Sequence, residues 1–370
     1  MVNDRNPGLD FFRSLAISLV LLSHTRHLFT WETIDGWNWW WLSFGGFLGV
    51  ELFFVLSGFL IGIILIDTFN RSSNLMTSIK VFLLRRWFRT LPLYFFILFI
   101  TIITTYLFES SFSFPYLHFI FLQNYSDDGL AFFPVAWSLS VEEWFYLLLS
   151  LLSALVFRWR RNPDTFMVIL GFWILLTLAV RFWLAYSDPS LTWDNDIRKN
   201  IFLRFDSLLL GVLLSAIRLY SPCFFKRIAS PAIALSSLLL LILIIYWYLS
   251  LGQAGLNESV LAKTLLFFCM SMVLLPLLSW LSLSFHYRSY WIESTARYSY
   301  AVYLIHLPIV MVAVKYAQTI QNIGFSLLAL LFVLILTFGI AALLYRWIER
   351  PFMELRERIA PSSLINPNRI

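Results

Sequence analysis

The first apolar stretch of the chain, residues 9–24, reads LDFFRSLAISLVLLSH and contains Arg13 and His24, which are separated by ten residues. Ionisable side chains at membrane depth are costly, and they usually face the interior of a helix bundle or a water-filled cavity. Eleven positions along a helix amount to about three turns plus roughly 20°, so the two side chains share one face about 16 Å apart. The stretch therefore predicts a first transmembrane helix with a polar face that crosses much of the bilayer.

The composition of the 370 residues excludes a water-soluble protein, because 60% of them are hydrophobic and only 13% are charged, about half of the charged fraction of a soluble domain. The N-terminal stretch is no secretory signal peptide, since it is too long, contains Arg13 and lacks a small-x-small cleavage site. We therefore predict an all-α integral membrane protein, with a single transmembrane domain over residues 1–358 and a loose cytoplasmic tail over residues 359–370.

Apolar stretches of about 18 to 24 residues, long enough to span a bilayer, number ten in this sequence. They lie near residues 9–29, 46–67, 90–108, 137–157, 165–186, 201–219, 231–251, 261–284, 297–318 and 324–347. Most of the 27 basic residues fall in the even-numbered loops and at the two ends of the chain. The positive-inside rule then predicts that both termini are cytoplasmic. Glu32, Asp35 and the tryptophans at 37 and 39–41 would lie at the outer interface, where an aromatic belt is expected.

Two sets of ionisable residues emerge when depth is counted along the predicted helices at 1.5 Å per residue. The set in the outer third of the membrane consists of His24, Glu51, Glu142, Glu143, Arg181, Arg204 and Asp206. The cytoplasmic set consists of Arg13, Arg85, Arg86, Arg89, Arg346 and Arg350. Equal depth is necessary for members of one set to meet in a common site.

Each set also has a structural interpretation. Intramembrane carboxylates and arginines often pair only to fix helix packing, and this explanation fits Asp206 with Arg204 as well as a functional one does. The arginines near residue 86 could serve only as topological signals. His306, near the bilayer centre, is typical of a hydrogen-bonded packing histidine. The net charge of +6 is explained by the excess of basic residues in cytoplasmic loops, where they also contact anionic lipid. Nothing in the sequence resembles a nucleic-acid-binding module.

Several motifs, taken in order, resemble those of the acyltransferase-3 family of membrane-bound O-acyltransferases, over essentially the whole chain. They are Arg13-x10-His24, the stretch 49–59 (GVELFFVLSGF), Arg86-x-x-Arg89-x-x-Pro92, the stretch 137–146 (WSLSVEEWFY), Arg204-x-Asp206-x4-Gly211 and Ser299-Tyr300-x-x-Tyr303-Leu304-x-His306. Glu51 stands where Asp is common, and Trp144 stands where Gln is usual. The family acylates surface glycans such as lipopolysaccharide and other polysaccharides, and some members carry an additional SGNH-type domain that we do not expect here.

The resemblance implies a cytoplasmic acyl-CoA donor, with acetyl-CoA expected, and a carbohydrate or glycolipid acceptor on the outer side of a bacterial inner membrane. Acyl-CoA would be a co-substrate, and we expect neither a metal nor a tightly bound cofactor. Arginine side chains bind phosphate groups well, such as those of acyl-CoA, because the guanidinium donates two parallel hydrogen bonds. The donor site is predicted to contain Arg85, Arg86, Arg89, Ser57 and Gly58, the last two beside the pantetheine arm.

The catalytic residues are predicted to be His24, Glu142 and Arg13. An imidazole with a reference pKa of about 6.5 suits a general base, and Glu142 would fix its tautomer and stabilise the imidazolium. Supporting residues on the acceptor side are predicted to be Glu51, Glu143, Tyr146, Arg204, Asp206 and His306. Direct transfer and an acyl-imidazole intermediate on His24 remain alternatives, and the sequence does not indicate an oligomeric state.

The principal rival function is a secondary transporter or glycan exporter, since buried charges in the outer third of ten helices would suit one. Transporters usually show inverted repeats with Gly- or Pro-broken helices in corresponding halves, and the sequence contains no convincing pair of such segments. A purely structural scaffold would leave the arrangement of Arg13, His24 and Glu142 unexplained.

Overall fold

A computed structural model describes residues 5–29, 42–71, 74–108, 113–159 and 162–361. These residues form helices and connecting turns, and no β-strand occurs among them. Ten long helices match the ten predicted stretches: α1 (Pro7–Thr25), α2 (Ser43–Arg71), α3 (Leu75–Phe108), α5 (Trp137–Trp159), α6 (Pro163–Ser187), α7 (Phe205–Tyr220), α9 (Pro231–Glu258), α10 (Val260–Ser284), α11 (Tyr290–Ile320) and α12 (Ile323–Leu344). Three shorter helices complete the series: α4 (Asp127–Phe132), α8 (Pro222–Ile228) and α13 (Arg350–Ile359).

Within the described ranges, eight helical segments are long and apolar enough to cross a membrane, so the chain is a multi-pass membrane protein, as predicted. They are Ser43–Asn70, Leu75–Phe108, Pro134–Trp159, Pro163–Ser187, Pro231–Glu258, Val260–Ser284, Tyr290–Ile320 and Ile323–Ile359. The other two predicted spans are α1, which carries polar residues along its length, and α7, which has only 16 residues. Both pack against α2, and most residues of α7 are buried. Helices shielded from lipid in this way need not be uniformly apolar.

Small residues let α2 approach its two neighbours closely. A Cβ atom added to Gly49 would lie 2.6 Å from the carbonyl oxygen of Ala16 in α1, and one added to Gly58 would lie 2.1 Å from the carbonyl oxygen of Leu208 in α7. Real Cβ atoms do not approach other atoms so closely, so these positions require glycine. The prediction that Gly58 lies beside a pantetheine arm is therefore wrong, because its open face is filled by the backbone of α7.

Helix α3 begins at Leu75, fifteen residues before the predicted start of the third span. The basic residues of this segment interrupt the apolar run, but Arg and Lys are good helix formers, so the helix continues through them. As a result Arg85, Arg86 and Arg89 lie on a regular helix and not in a loop. Their side chains have fixed directions, which determines which partners they reach.

The C-terminal helix α13 packs against α3. Arg85 Nη2 lies 3.0 Å from Glu357 Oε1, and Arg85 also donates to the carbonyl oxygen of Ala360. The chain is thus held to α3 as far as residue 360, whereas most of the predicted loose tail, residues 362–370, lies outside the described ranges. The predicted outer-interface residues between 30 and 41 also lie outside them. The cytoplasmic placement of both termini stays a prediction.

Candidate functional site

The imidazole of His24, near the end of α1, contacts His306 of α11. Their rings lie 4.9 Å apart, and His24 Nδ1 is 3.2 Å from His306 Nε2. His306 is fully buried, whereas His24 keeps some exposure. The sequence pointed to a packing histidine at position 306, and the structure makes it the direct neighbour of the candidate base.

The hydrogen-bond acceptors around this pair determine the tautomers. His306 Nδ1 lies 2.8 Å from the Tyr303 carbonyl oxygen and 3.1 Å from that of Val302. Carbonyl oxygens only accept, so His306 Nδ1 carries the hydrogen and His306 Nε2 carries a lone pair. His24 Nδ1 faces this lone pair and also the Val20 carbonyl oxygen at 3.0 Å, so it carries a hydrogen too. Neutral His24 therefore has its lone pair on Nε2, which has no hydrogen-bond partner in the described chain.

A second polar group forms where α3 meets α5. Arg86 Nη2 lies 2.8 Å from Glu142 Oε2 and 2.5 Å from the hydroxyl oxygen of Tyr146. The Tyr146 hydroxyl donates to Glu142, and Ser57 of α2 donates to the other oxygen of this carboxylate at 3.4 Å. The Arg86 and Glu142 side chains keep 15% and 13% of their surface exposed, so the ion pair is not completely enclosed by the packed helices.

The predicted partnership between Glu142 and His24 is wrong. Equal depth was necessary for their contact, but it did not determine the direction of either side chain. The carboxylate of Glu142 forms an ion pair with Arg86, while the imidazole of His24 contacts His306. Because α3 is helical through Arg86, its long guanidinium reaches into the bundle and pairs with Glu142 directly. Arg86 and Glu142, which the count of residues placed in the cytoplasmic set and the outer set, are therefore direct neighbours.

A row of polar side chains nevertheless lies between the two groups, and hydrogen bonds link some of its members directly. Tyr303 lies one helical turn from His306 on α11, with ring centres 5.9 Å apart. The Tyr303 hydroxyl oxygen lies 2.8 Å from Ser138 Oγ at the start of α5, one turn before Glu142. We call the series His24, His306, Tyr303, Ser138, Glu142 and Arg86 the polar track. It connects the imidazole end of the bundle to the arginine end, across helices that are not neighbours in sequence.

The arginine end contains further cations. Arg13 lies close enough to Arg5, Arg86 and Arg89 to be influenced by their charges, and its guanidinium is 3.6 Å from Asp10. Arg89 is only partly buried and makes no hydrogen bond, and no ion pair within 4 Å, among the described residues; the nearest opposite charge acting on it is that of Glu349. Arg85, in contrast, is engaged by Glu357 of α13. Of the three predicted phosphate-binding arginines, Arg89 therefore has the guanidinium most available to a ligand.

Glu143, the neighbour of Glu142, is buried and accepts a hydrogen bond of 3.0 Å from the Thr90 hydroxyl. The Tyr300 hydroxyl donates to the Thr90 carbonyl oxygen at 2.7 Å. These bonds tie α3 to α5 and α11, beside the Arg86 pair. Glu143 thus supports the site through packing and does not open onto it.

The remaining predicted residues form a separate network. Glu51 accepts hydrogen bonds from Arg204, from Ser207 at 2.7 Å and from Ser271 at 3.4 Å. Asp206 lies 2.8 Å from Arg181 Nη2 and 3.9 Å from Arg204 Nε. All four charged side chains are almost fully buried, so two carboxylates balance two guanidiniums. The geometry therefore favours the structural interpretation of this set, in which the ion pairs fix helix packing. No contact joins Glu51 to His24 in the described chain.

Arg346 and Arg350, the last of the cytoplasmic set, are both exposed, and Arg350 pairs with Glu354 on its own helix.

One candidate functional residue, Arg198, was not identified from the sequence. Arg198 lies in a π-helical turn (Trp193–Arg198) beside Trp137, at the imidazole end of the polar track. In the sequence Arg198 is one of two basic residues in a loop that also holds three acidic ones, and no sequence pattern marks its contact with two tryptophans.

A family described as an acyltransferase domain matches residues 6–346 of this chain. Peptidoglycan O-acetyltransferase OatA of Listeria monocytogenes is 28% identical over 380 residues, covering 93% of this chain and 55% of the relative. YrhL of Bacillus subtilis is 27% identical over 377 residues, covering 93% and 54%. O-acetyltransferase OatA of Staphylococcus aureus is 28% identical over 254 residues, covering 62% and 37%.

The chain thus spans about half the length of the first two curated relatives. No solved structure matches it. The matched family region contains the whole polar track together with Arg13, Arg85 and Arg89.

Proposed function

Because this chain belongs to the acyltransferase-3 family, we propose that it is an O-acetyltransferase of a bacterial cytoplasmic membrane. It moves an acetyl group from cytoplasmic acetyl-CoA to a hydroxyl of a carbohydrate acceptor at the outer side. The names of the relatives support peptidoglycan strands as the acceptor. The observation that carries the proposal is the free lone pair of His24 Nε2, held in that tautomer by His306 and Val20.

The donor binds at the arginine end. Its phosphates pair with Arg89 and Arg13, while Glu142 and Tyr146 hold Arg86 at the edge of the same site. Charge-assisted contacts of arginine to phosphate are strong and geometrically specific. Arg13 and His24 both lie on α1, and their separation of about 16 Å along the helix axis gives the pantetheine arm its path along the polar track. The thioester then lies near His24.

At the imidazole end, His24 Nε2 accepts the proton of the acceptor hydroxyl as its oxygen attacks the thioester carbonyl carbon. The carbon–sulfur bond breaks, the acetyl ester forms, and the departing thiolate takes the proton from the imidazolium. While His24 is cationic, its Nδ1–H donates to His306 Nε2 with the strength of a charge-assisted bond. His306 thus performs the positioning role that the sequence assigned to Glu142.

Purified protein in nanodiscs, supplied with radiolabelled acetyl-CoA and peptidoglycan strands, tests the proposal. Wild-type protein should acetylate the strands, and His24→Ala should abolish transfer while retaining its elution position and melting temperature. His286→Ala is the matched control, because His286 is an exposed histidine outside the polar track. Normal transfer by His24→Ala would exclude the general-base role. Absence of thioester cleavage, together with strand transport into sealed liposomes that contain the protein, would support the rival exporter function.

A further inference from the structure

Arg198 is held rigidly at the imidazole end of the bundle. Its guanidinium carbon lies 4.8 Å from the ring centre of Trp137 and 5.6 Å from that of Trp193. Contacts of this kind are favourable because the aromatic face is electronegative. Arg198 Nε lies 2.5 Å from Asp194 Oδ1, which anchors the guanidinium from one side.

Asp194 is itself fixed as a carboxylate. Burial alone would raise its pKa, but the charges of Arg198 and Lys199 lower the pKa to about 2. Lys199 Nζ lies 2.6 Å from the second Asp194 oxygen. Two cations therefore share the Asp194 carboxylate, whereas Asp196, the second acidic residue of the turn, accepts its hydrogen bonds from Thr192.

The two terminal amino groups of Arg198 have no hydrogen-bond partner in the described chain, and 16% of the side chain remains exposed. Here the Nε edge is anchored and the Nη edge is open, so the fork of parallel N–H groups is preorganised for an oxyanion.

The position of Arg198 relates it to the reaction. Trp137, under its guanidinium, precedes Ser138, whose hydroxyl contacts Tyr303 of the polar track. Asn124 donates both to the Trp137 carbonyl oxygen at 2.9 Å and to the Lys199 carbonyl oxygen at 2.6 Å. The Arg198 turn is thereby fastened to the same end of the bundle as His24, away from the arginines assigned to the donor.

We propose that Arg198 binds an anionic group of the acceptor glycan, so that the protein selects acidic carbohydrates over neutral ones. The chemistry that its fork recognises is a carboxylate or a phosphate carried by the sugar chain. This inference rests on the proposed function, and it specifies the class of acceptor that binds at the imidazole end of the polar track.

The test compares three acceptors in nanodiscs with acetyl-CoA. They are peptide-free peptidoglycan strands with free carboxylates, the same strands with the carboxyls reduced to alcohols, and reduced strands that carry phosphate esters. Wild-type protein should acetylate one of the two anionic strands with a higher kcat/KM than the reduced strands, and the preferred strand identifies the anion. Losing a charge-assisted fork changes binding by about 10- to 100-fold, so Arg198→Gln should reduce the preference by that factor through acceptor KM.

Arg198→Lys keeps the charge and the bond to Asp194 but removes the fork, so it should also lose most of the preference if the variant remains folded. Arg227→Gln is the matched control, because Arg227 is an exposed arginine on α8. Equal kcat/KM for the three wild-type acceptors, or an unchanged preference in both Arg198 variants, would overturn the inference. Absence of thioester cleavage by wild-type protein would instead overturn the proposed function.

Discussion

Replacing His306 by phenylalanine tests the tautomer mechanism most directly. The substitution keeps an aromatic ring in the buried site but removes the Nε2 acceptor that lies 3.2 Å from His24 Nδ1. The Val20 carbonyl oxygen, 3.0 Å from the same nitrogen, still favours a hydrogen on Nδ1. The preference for the ground-state tautomer is therefore weakened and not lost, and in the proposed mechanism the larger effect falls on the imidazolium that forms during transfer.

The expected magnitude follows from the bond that disappears. A hydrogen bond to a charged group contributes about 1.5 to 3 kcal/mol, which corresponds to about 10- to 100-fold in kcat. The KM for acetyl-CoA should change little, since the proposed site for the donor phosphates lies at the other end of the polar track. A loss confined to kcat indicates an interaction that is stronger in the transition state than in the substrate complex.

The assay is steady-state acetyl transfer by purified variants in nanodiscs, with melting temperature and elution position as folding controls. His306→Gln offers a rescue, because its amide oxygen can accept the Nδ1 hydrogen of His24 in place of the lost nitrogen, so its kcat should recover part of the loss. Wild-type kcat in a folded His306→Phe protein would refute the reasoning. A failure of glutamine to recover more activity than phenylalanine would show that His306 acts only by filling space.

Three further predictions concern the donor end and the packing. Arg89→Gln should raise the KM for acetyl-CoA about tenfold, and the increase should be smaller at high salt because ions screen the wild-type contact. The exposed control Arg227→Gln should leave this KM unchanged. An unchanged KM in Arg89→Gln would mean that Arg89 serves only as a topological signal. Gly58→Ala should destabilise the protein by about 1 to 3 kcal/mol, because its methyl group would collide with the backbone of α7. Gly171→Ala is the control: no atom lies within 4 Å of its Cβ and alanine is the better helix former, so the melting temperature should not fall. Arg204→Leu should cost about 3 to 5 kcal/mol, since it leaves a buried carboxylate of α2 without its partner; a wild-type melting temperature would contradict the structural assignment of that network.

The sequence alone was sufficient to predict the helices, because their signals are local. Apolar runs of sufficient length placed all ten long helices, and the spacing of Arg13 and His24 placed both side chains on α1. The error at the start of α3 arose where two local criteria disagree: the charges near Arg86 end the apolar run, although they do not end the helix. Hydropathy measures compatibility with lipid, whereas helix formation depends on backbone hydrogen bonds.

Only the tertiary structure decided which charged groups meet. Counting residues gives the position along a helix axis at about 1.5 Å per residue, but it gives neither the identity of the neighbouring helix nor the rotation of each helix about its axis. Those depend on packing, such as the close approach of α2 and α7 at Gly58. Long side chains add further freedom, since the guanidinium of Arg86 reaches Glu142 on another helix. For this reason the sequence identified His24 as the candidate base, while the fold selected His306 as its partner.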